Sequence, residues 1–225
     1  MSDPRRSNPP SRPARAGRLV RIVPVLVLAF VLDACVTGTR PFFDGEQPAR
    51  AETGNEAIDA VLERLDRATL AEMSADYTIV TRLGGTTSSA TVVQQPPSRR
   101  SVTVGDVRFL YDDGPVATCD LATGECEASI NDARISDVGV THRFYAGAFA
   151  RRLRVDANRS IGEPVGSTTD IAGMAARCVD VPVSGGTKTY CALDAGPLAR
   201  YDGNDVQIEL VAYVDHAEPA AFDMP

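Results

Sequence analysis

The 225-residue sequence has no tryptophan, only two histidines (His142 and His216), and an aromatic content of 6%. So few histidines leave little material for a serine triad, and no G-x-S-x-G elbow accompanies them. Gly84-Gly85 and Gly185-Gly186 read as hairpin turns, because neither has the lysine or the spacing of a phosphate-binding loop. Carboxylates are plentiful, but no pair stands out as a glycosidase acid and base. His142 opens a helical stretch and reads as a surface residue, while His216 lies in the polar tail Asp215–Pro219. The expectation is a non-enzyme with no cofactor and no metal. Basic surplus is also missing, since the formal net charge is −7. That argues against nucleic acid, which is bound by lysines and arginines that neutralise phosphates.

The longest apolar run, Ile22–Leu32, is well short of the roughly 20 residues a relaxed membrane-spanning helix needs, but it suits a signal-peptide core. Arg5, Arg6, Arg12, Arg15, Arg18 and Arg21 precede it, and Leu32-Asp33-Ala34-Cys35 follows. This tetrapeptide resembles the bacterial lipobox, although Asp33 departs from the small or uncharged residue usual in the middle. The resemblance implies cleavage before Cys35 and lipidation of its sulfur, giving a lipid-anchored protein on the extracytoplasmic face of the cell membrane. Removing residues 1–34, with six arginines and two aspartates, takes the net charge from −7 to −11. The expected organisation is a signal peptide over 1–34, a lipidated cysteine and tether over 35–54, and one domain over 55–225.

Four cysteines remain. Cys119 and Cys126 flank one turn signal, and Cys178 and Cys191 another. Three connectivities are available. The two local ones, each bridging a hairpin, are favoured over a zinc site, since neither spacing is that of a zinc knuckle and export implies an oxidising compartment.

The apolar residues Ile58, Val61, Leu62 and Leu65 recur at helical spacing from about Asn55. Period-two segments follow: Tyr77 to Leu83, Ala90 to Gln95, Val102 and Val104, Val107 to Tyr111, and Val116–Ile130. A second helix is expected over His142–Ala157, with Tyr145, Phe149 and Leu153 on one stripe. Further strands are Ala176–Val183, Lys188–Leu193, Leu198–Asp202 and Val206–Val214. The last reads with Val206, Ile208, Leu210, Ala212 and Val214 on one face. Tight glycine turns imply an antiparallel meander. The fold class is α+β, one curved antiparallel sheet (a half-barrel) of seven or more strands with helices on its concave face.

Candidate binding residues follow from that curvature. Tyr77, Ile79, Val102, Val104, Phe109, Tyr111, Ile208 and Leu210 would face the concavity, met by Leu62 and Leu65 from one helix and Phe149 and Leu153 from the other. If open, the space is an apolar pocket for an acyl chain; if plugged, these residues are core. Arg143, Arg151, Arg152 and Arg154 read as a solvated helix face rather than a phosphate site.

The amphipathic helix leading into Tyr77-Thr-Ile-Val and a Gly-Gly hairpin, the strand Arg108-Phe-Leu-Tyr-Asp-Asp-Gly114, and the closing Val206–Val214 with Ala221-Phe222-Asp223-Met224-Pro225 together resemble the LolA-like lipoprotein-carrier superfamily. That superfamily includes LppX/LprG-type lipoproteins and RseB-type sensors. The resemblance implies an apolar cavity for acyl chains of lipids or lipoproteins, a lipid ligand or an envelope protein partner, and no catalytic residues. Two readings follow: a lipid-anchored protein that holds an apolar ligand, or an envelope interaction or signalling protein with a filled core.

Overall fold

The computed structural model describes residues 53–225. Cys35, the expected signal peptide and most of the expected tether lie outside the described residues. The described residues open with helix α1 (Glu56–Arg67), where Asn55 accepts a hydrogen bond from the Ile58 amide at 3.1 Å and caps the first turn. Its stripe of Ile58, Val61, Leu62 and Leu65 is buried, each side chain contributing roughly 1.5–3 kcal/mol as an upper estimate.

Eleven antiparallel strands form one sheet. They are β1 (Met73–Thr81), β2 (Thr86–Gln95), β3 (Arg99–Val104), β4 (Val107–Tyr111), β5 (Val116–Asp120), β6 (Cys126–Glu127), β7 (Val165–Ile171), β8 (Met174–Val183), β9 (Gly186–Leu193), β10 (Leu198–Asp202) and β11 (Val206–Val214). The order across the sheet is β6-β5-β4-β3-β2-β1-β11-β10-β9-β8-β7. Two meanders therefore meet at a central β1–β11 pair, and the two edges stay unjoined. Helix α2 (Gly147–Asn158) and the short 3₁₀ segment Asp132–Val138 lie in the connection between the meanders.

Three differences from the sequence expectation have local causes. Strand β7 has no apolar alternation to read, because six of its seven residues are exposed. The second helix starts at Gly147, not at His142. The Leu198 amide donates to the Tyr145 carbonyl at 2.7 Å, which ties the chain to β10 just before the helix and holds Ala146 outside helical angles. In β11 the expected single face breaks. Register slips between Asp76 and Tyr77, leaving Val211 as the extra residue. Beyond this bulge Tyr213 packs on the core, and Ala212 and Val214 are exposed.

Both local disulfides are present, and each joins directly opposed residues of a hairpin, Cys119 to Cys126 and Cys178 to Cys191. Chain-entropy arithmetic gives each roughly 2–3 kcal/mol. Cys126 is exposed, whereas Cys178 and Cys191 are buried. Graded reduction should therefore open Cys119–Cys126 first, and full reduction should lower the melting temperature markedly. Thiol trapping with intact mass measures the order, and an unchanged melt after complete reduction would contradict the stabilising role.

The concave face and its polar rims

Eleven of the twelve cavity candidates share one continuous apolar cluster. Leu62 and Leu65 come from α1, Tyr77 and Ile79 from β1, Val102 and Val104 from β3, Phe109 from β4, Phe149 and Leu153 from α2, and Ile208 and Leu210 from β11. All are at most 4% exposed. Tyr111, the twelfth, is half-buried at the rim. Four residues absent from the candidate set help fill the concavity: Ile135, Phe144, Tyr190 and Tyr201, all buried. Phe144 meets Tyr77 edge-on at 5.0 Å, and Phe149, Tyr190 and Tyr201 form a second aromatic group with centroids 4.7–6.5 Å apart. Alternation in β9 and β10 could have flagged the two tyrosines. Phe144 lies in a turn, where no periodicity marks a buried side chain. One phenol in this lining, that of Tyr77, has no hydrogen-bond partner among the described residues.

One polar network fastens the β3–β4 side of the sheet to the segment before α2. His142, expected at the surface, is buried. Its Nδ1 lies 2.9 Å from Asp132 Oδ1 and its Nε2 lies 2.9 Å from the Tyr111 hydroxyl, while its backbone amide donates to the same Asp132 oxygen at 2.7 Å. The Arg100 guanidinium stacks 4.4 Å over the Tyr111 ring and reaches the Tyr145 hydroxyl at 3.3 Å. Tyr145 donates to Gln94 Oε1 at 2.6 Å, and Gln94 Nε2 donates to the Ala68 and Ala71 carbonyls. The network therefore spans α1's C-terminal turn, β2, β3, β4 and the turn before α2.

Burial pushes His142 below its ordinary value of 6.5, outweighing the upward pull of Asp132, and Arg143 and Arg100 add to the depression. Neutral imidazole is thus favoured by the fold. The stability it contributes is present above 6.5 and is lost as pH falls through the lower folded value. Melting temperature should decline as pH drops below about 6.5, and His142→Gln should flatten that part of the profile. Parallel profiles for the two proteins would contradict the assignment.

A second polar group sits where α2 crosses β9 and β10. Asp156, 4% exposed, accepts from Lys188 Nζ at 2.7 and 2.9 Å and from the Tyr190 hydroxyl. Burial and the bond to Asp156 raise the Tyr190 phenol well above the ordinary range, and burial raises Tyr201. Of the four arginines read as a solvated face, Arg152 donates from one terminal nitrogen, Nη2, to both Asp205 oxygens at 2.7 and 2.8 Å and stacks on Tyr201, and Arg154 pairs with Asp66. Arg143 and Arg151 are exposed. Both rims use charge to hold the filling segment in place.

Outside the concave face, a groove of about 660 Å³ runs between α1 and the β7–β8 edge. Its lining is chiefly polar and includes Glu56, Arg64, Glu163, Thr168 and Arg177. Among the described residues, no cluster of three or more histidines, cysteines or acids is placed to hold a metal.

No family model and no curated protein matches the sequence. Solved structures similar to it include a chain of the Pseudomonas aeruginosa MucA/MucB complex, with TM-score 0.49, 13% identity, and coverage of 75% of this chain and 61% of that one. LprF from Mycobacterium bovis matches with TM-score 0.40 and 17% identity, covering 76% of this chain and 96% of that one. A DUF1329 family protein from Desulfovibrio piger matches with TM-score 0.31 and 9% identity, covering 74% and 95%. The chain thus spans about three fifths of the MucB-complex chain it matches. These likenesses, all at 17% identity or less, are likenesses of fold.

Proposed function

We propose that this chain is an exported, lipid-anchored interaction protein of the cell envelope, a half-barrel binding module whose concave face is filled by its own side chains. The observation that carries this reading is the burial, to 4% exposure or less, of eleven residues that would line an acyl-chain cavity, in contact with one another and with the inserted aromatics. A site packed in this way offers its surface and edges to partners rather than a standing pocket. Lipidation at Cys35 would fix it to the extracytoplasmic face of the membrane, and the acidic mature chain, −11 with residues 1–34 removed, supplies a solvated surface.

One observation favours the second reading, an apolar ligand such as a lipid acyl chain admitted by displacing residues 142–146 and α2. Among the described residues the Tyr77 hydroxyl is left unpaired in the lining, an arrangement that costs about 1–3 kcal/mol and that a rearranged, ligand-bound lining would relieve. Native mass spectrometry of the protein purified without detergent separates the two. A bare mass, unchanged after incubation with envelope lipids, is the expected result. Discrete adducts lost on solvent extraction and identified as lipids would overturn the filled-core reading in favour of the carrier.

A further inference from the structure

The two edges of the sheet are treated differently. β6 is two residues long and is tied back by the Cys119–Cys126 bridge. β7 is seven residues long, pairs with β8 along its whole length, and ends the sheet on its other side. Natural edges of this length are usually blunted by lysine, proline, a bulge or a covering element. Val165-Gly-Ser-Thr-Thr-Asp-Ile171 has no lysine or proline, and its register with β8 is unbroken. Helix α1 touches the strand at Gly166, but among the described residues no backbone hydrogen bond links Val165–Ile171 to any element except β8, so the outer row of backbone donors and acceptors is left unused.

The groove beside this edge adds selectivity. Gly166 passes so close to α1 that a Cβ there would lie 2.8 Å from the Ala57 Cβ, so helix and edge strand converge at that point. Three exposed charges line the groove without an ion-pair partner among the described residues: Glu56, Glu163 and Arg177. Arg177 is opposite Thr168 in the ladder and donates to its hydroxyl at 3.0 Å, whereas Arg64 is already paired with Asp194. Glu56 and Glu163 mark the end where α1 and β7 begin. Arg177, opposite Thr168, lies about 10 Å along β7 from its first residue, Val165, at about 3.3 Å per residue, and Glu163 stands two residues before that start.

We propose that β7 and the adjoining flank of α1 form a docking site for an extended peptide of a partner protein, which adds as a twelfth strand and carries a basic and an acidic side chain four residues apart. Backbone pairing with β7 supplies affinity by strand addition. Residues four apart in a strand share one face and span about 13 Å, within side-chain reach of both ends of the groove. The basic group meets Glu56 and Glu163, and the acidic group meets Arg177. This rests on the reading of the chain as an interaction protein and gives that interaction a place and a chemistry.

The test uses the full-length chain in mild detergent with two fluorescein-labelled probes, Thr-Lys-Val-Thr-Val-Glu-Thr and its charge-exchanged order Thr-Glu-Val-Thr-Val-Lys-Thr. Fluorescence anisotropy should show one order bound about tenfold more tightly than the other, with slowed amide exchange along Val165–Ile171. Arg177→Glu, at an exposed position, should weaken the preferred probe about tenfold without changing the melt. Replacing that probe's glutamate by lysine should restore its binding to the variant. Absence of β7 protection with both probes, or affinity indifferent to Arg177→Glu, overturns the proposal. So does β7 protection that appears without peptide and tracks dimer formation, which would make a second copy the occupant. Improved probe binding on deleting residues 36–52 would likewise overturn it in favour of the chain's own segment. Lipid adducts in native mass spectra would strike the interaction reading itself, whereas an unprotected β7 with a bare mass strikes only the docking site.

Discussion

Replacing Asp156 with alanine is expected to lower the free energy of unfolding by about 3–5 kcal/mol, a large share of a domain's typical stability. The carboxylate is buried and holds three hydrogen bonds, two from Lys188 and one from Tyr190. Its removal leaves the Lys188 ammonium, whose side chain is only 16% exposed, without a counter-charge, and leaves a buried phenol unpaired. The cost is that of the stranded partners, not the net worth of the pair. A second variant separates the two: Asp156→Ala combined with Lys188→Met should recover much of the loss, because both charges are then gone. Lys188 is the chain's only lysine among 23 basic side chains. A compact ammonium directs two of its protons at the two oxygens of one carboxylate, and a longer, planar guanidinium presents its donors in a different geometry, so Lys188→Arg should not be neutral. Urea denaturation of the three variants gives the comparison. A single-variant loss below about 1 kcal/mol would show that water reaches this pair and that it behaves as a surface bridge.

The same buried pair shows where sequence reading succeeds and fails. The α1 stripe, the glycine hairpins and the inward alternation of β1, β3, β4 and, as far as Leu210, β11 were legible, because amphipathic periodicity is the direct imprint of a one-sided core. Both disulfides were legible for a related reason, since each cysteine pair flanks a turn that forces its arms together. The residues that decide what the concavity contains were not. Phe144 and His142 lie in turns, and Asp156, Lys188 and Gln94 are polar residues whose burial depends on partners far along the chain. Polar side chains carry no periodic signal for burial, so His142 read as a surface residue, and Arg152 read as solvated although Asp205 and Tyr201 hold it. β7 escaped notice because an edge strand exposed on both faces has no apolar phase at all. Gly196 is another long-range constraint: with φ at +119° it sits where a Cβ would come within 2.8 Å of the Ala68 Cα, seating the β9–β10 turn against the end of α1.

Phe144→Ala is expected to cost about 3–5 kcal/mol and, more usefully, to distinguish a packed core from a closed door. The ring is wholly buried, meets Tyr77 at 5.0 Å and Tyr145 at 6.1 Å, and belongs to the segment that fills the concave face. If the concavity is ordinary core, the substitution leaves a void that an apolar molecule the size of benzene can enter, as engineered apolar cavities do. Benzene should then raise the variant's melting temperature by linkage while leaving the wild type unchanged, and a long-chain fatty acid should affect neither. If the segment is instead a displaceable plug, the wild type already exchanges with an open state. A fatty acid should then stabilise it, and should stabilise the variant more, because a lighter plug shifts the population toward the open form. The decisive readout is the fatty-acid response of the wild type. A null result there joined to a benzene response in the variant establishes a filled core, and the converse would assign Phe144 the role of a gate over a lipid site.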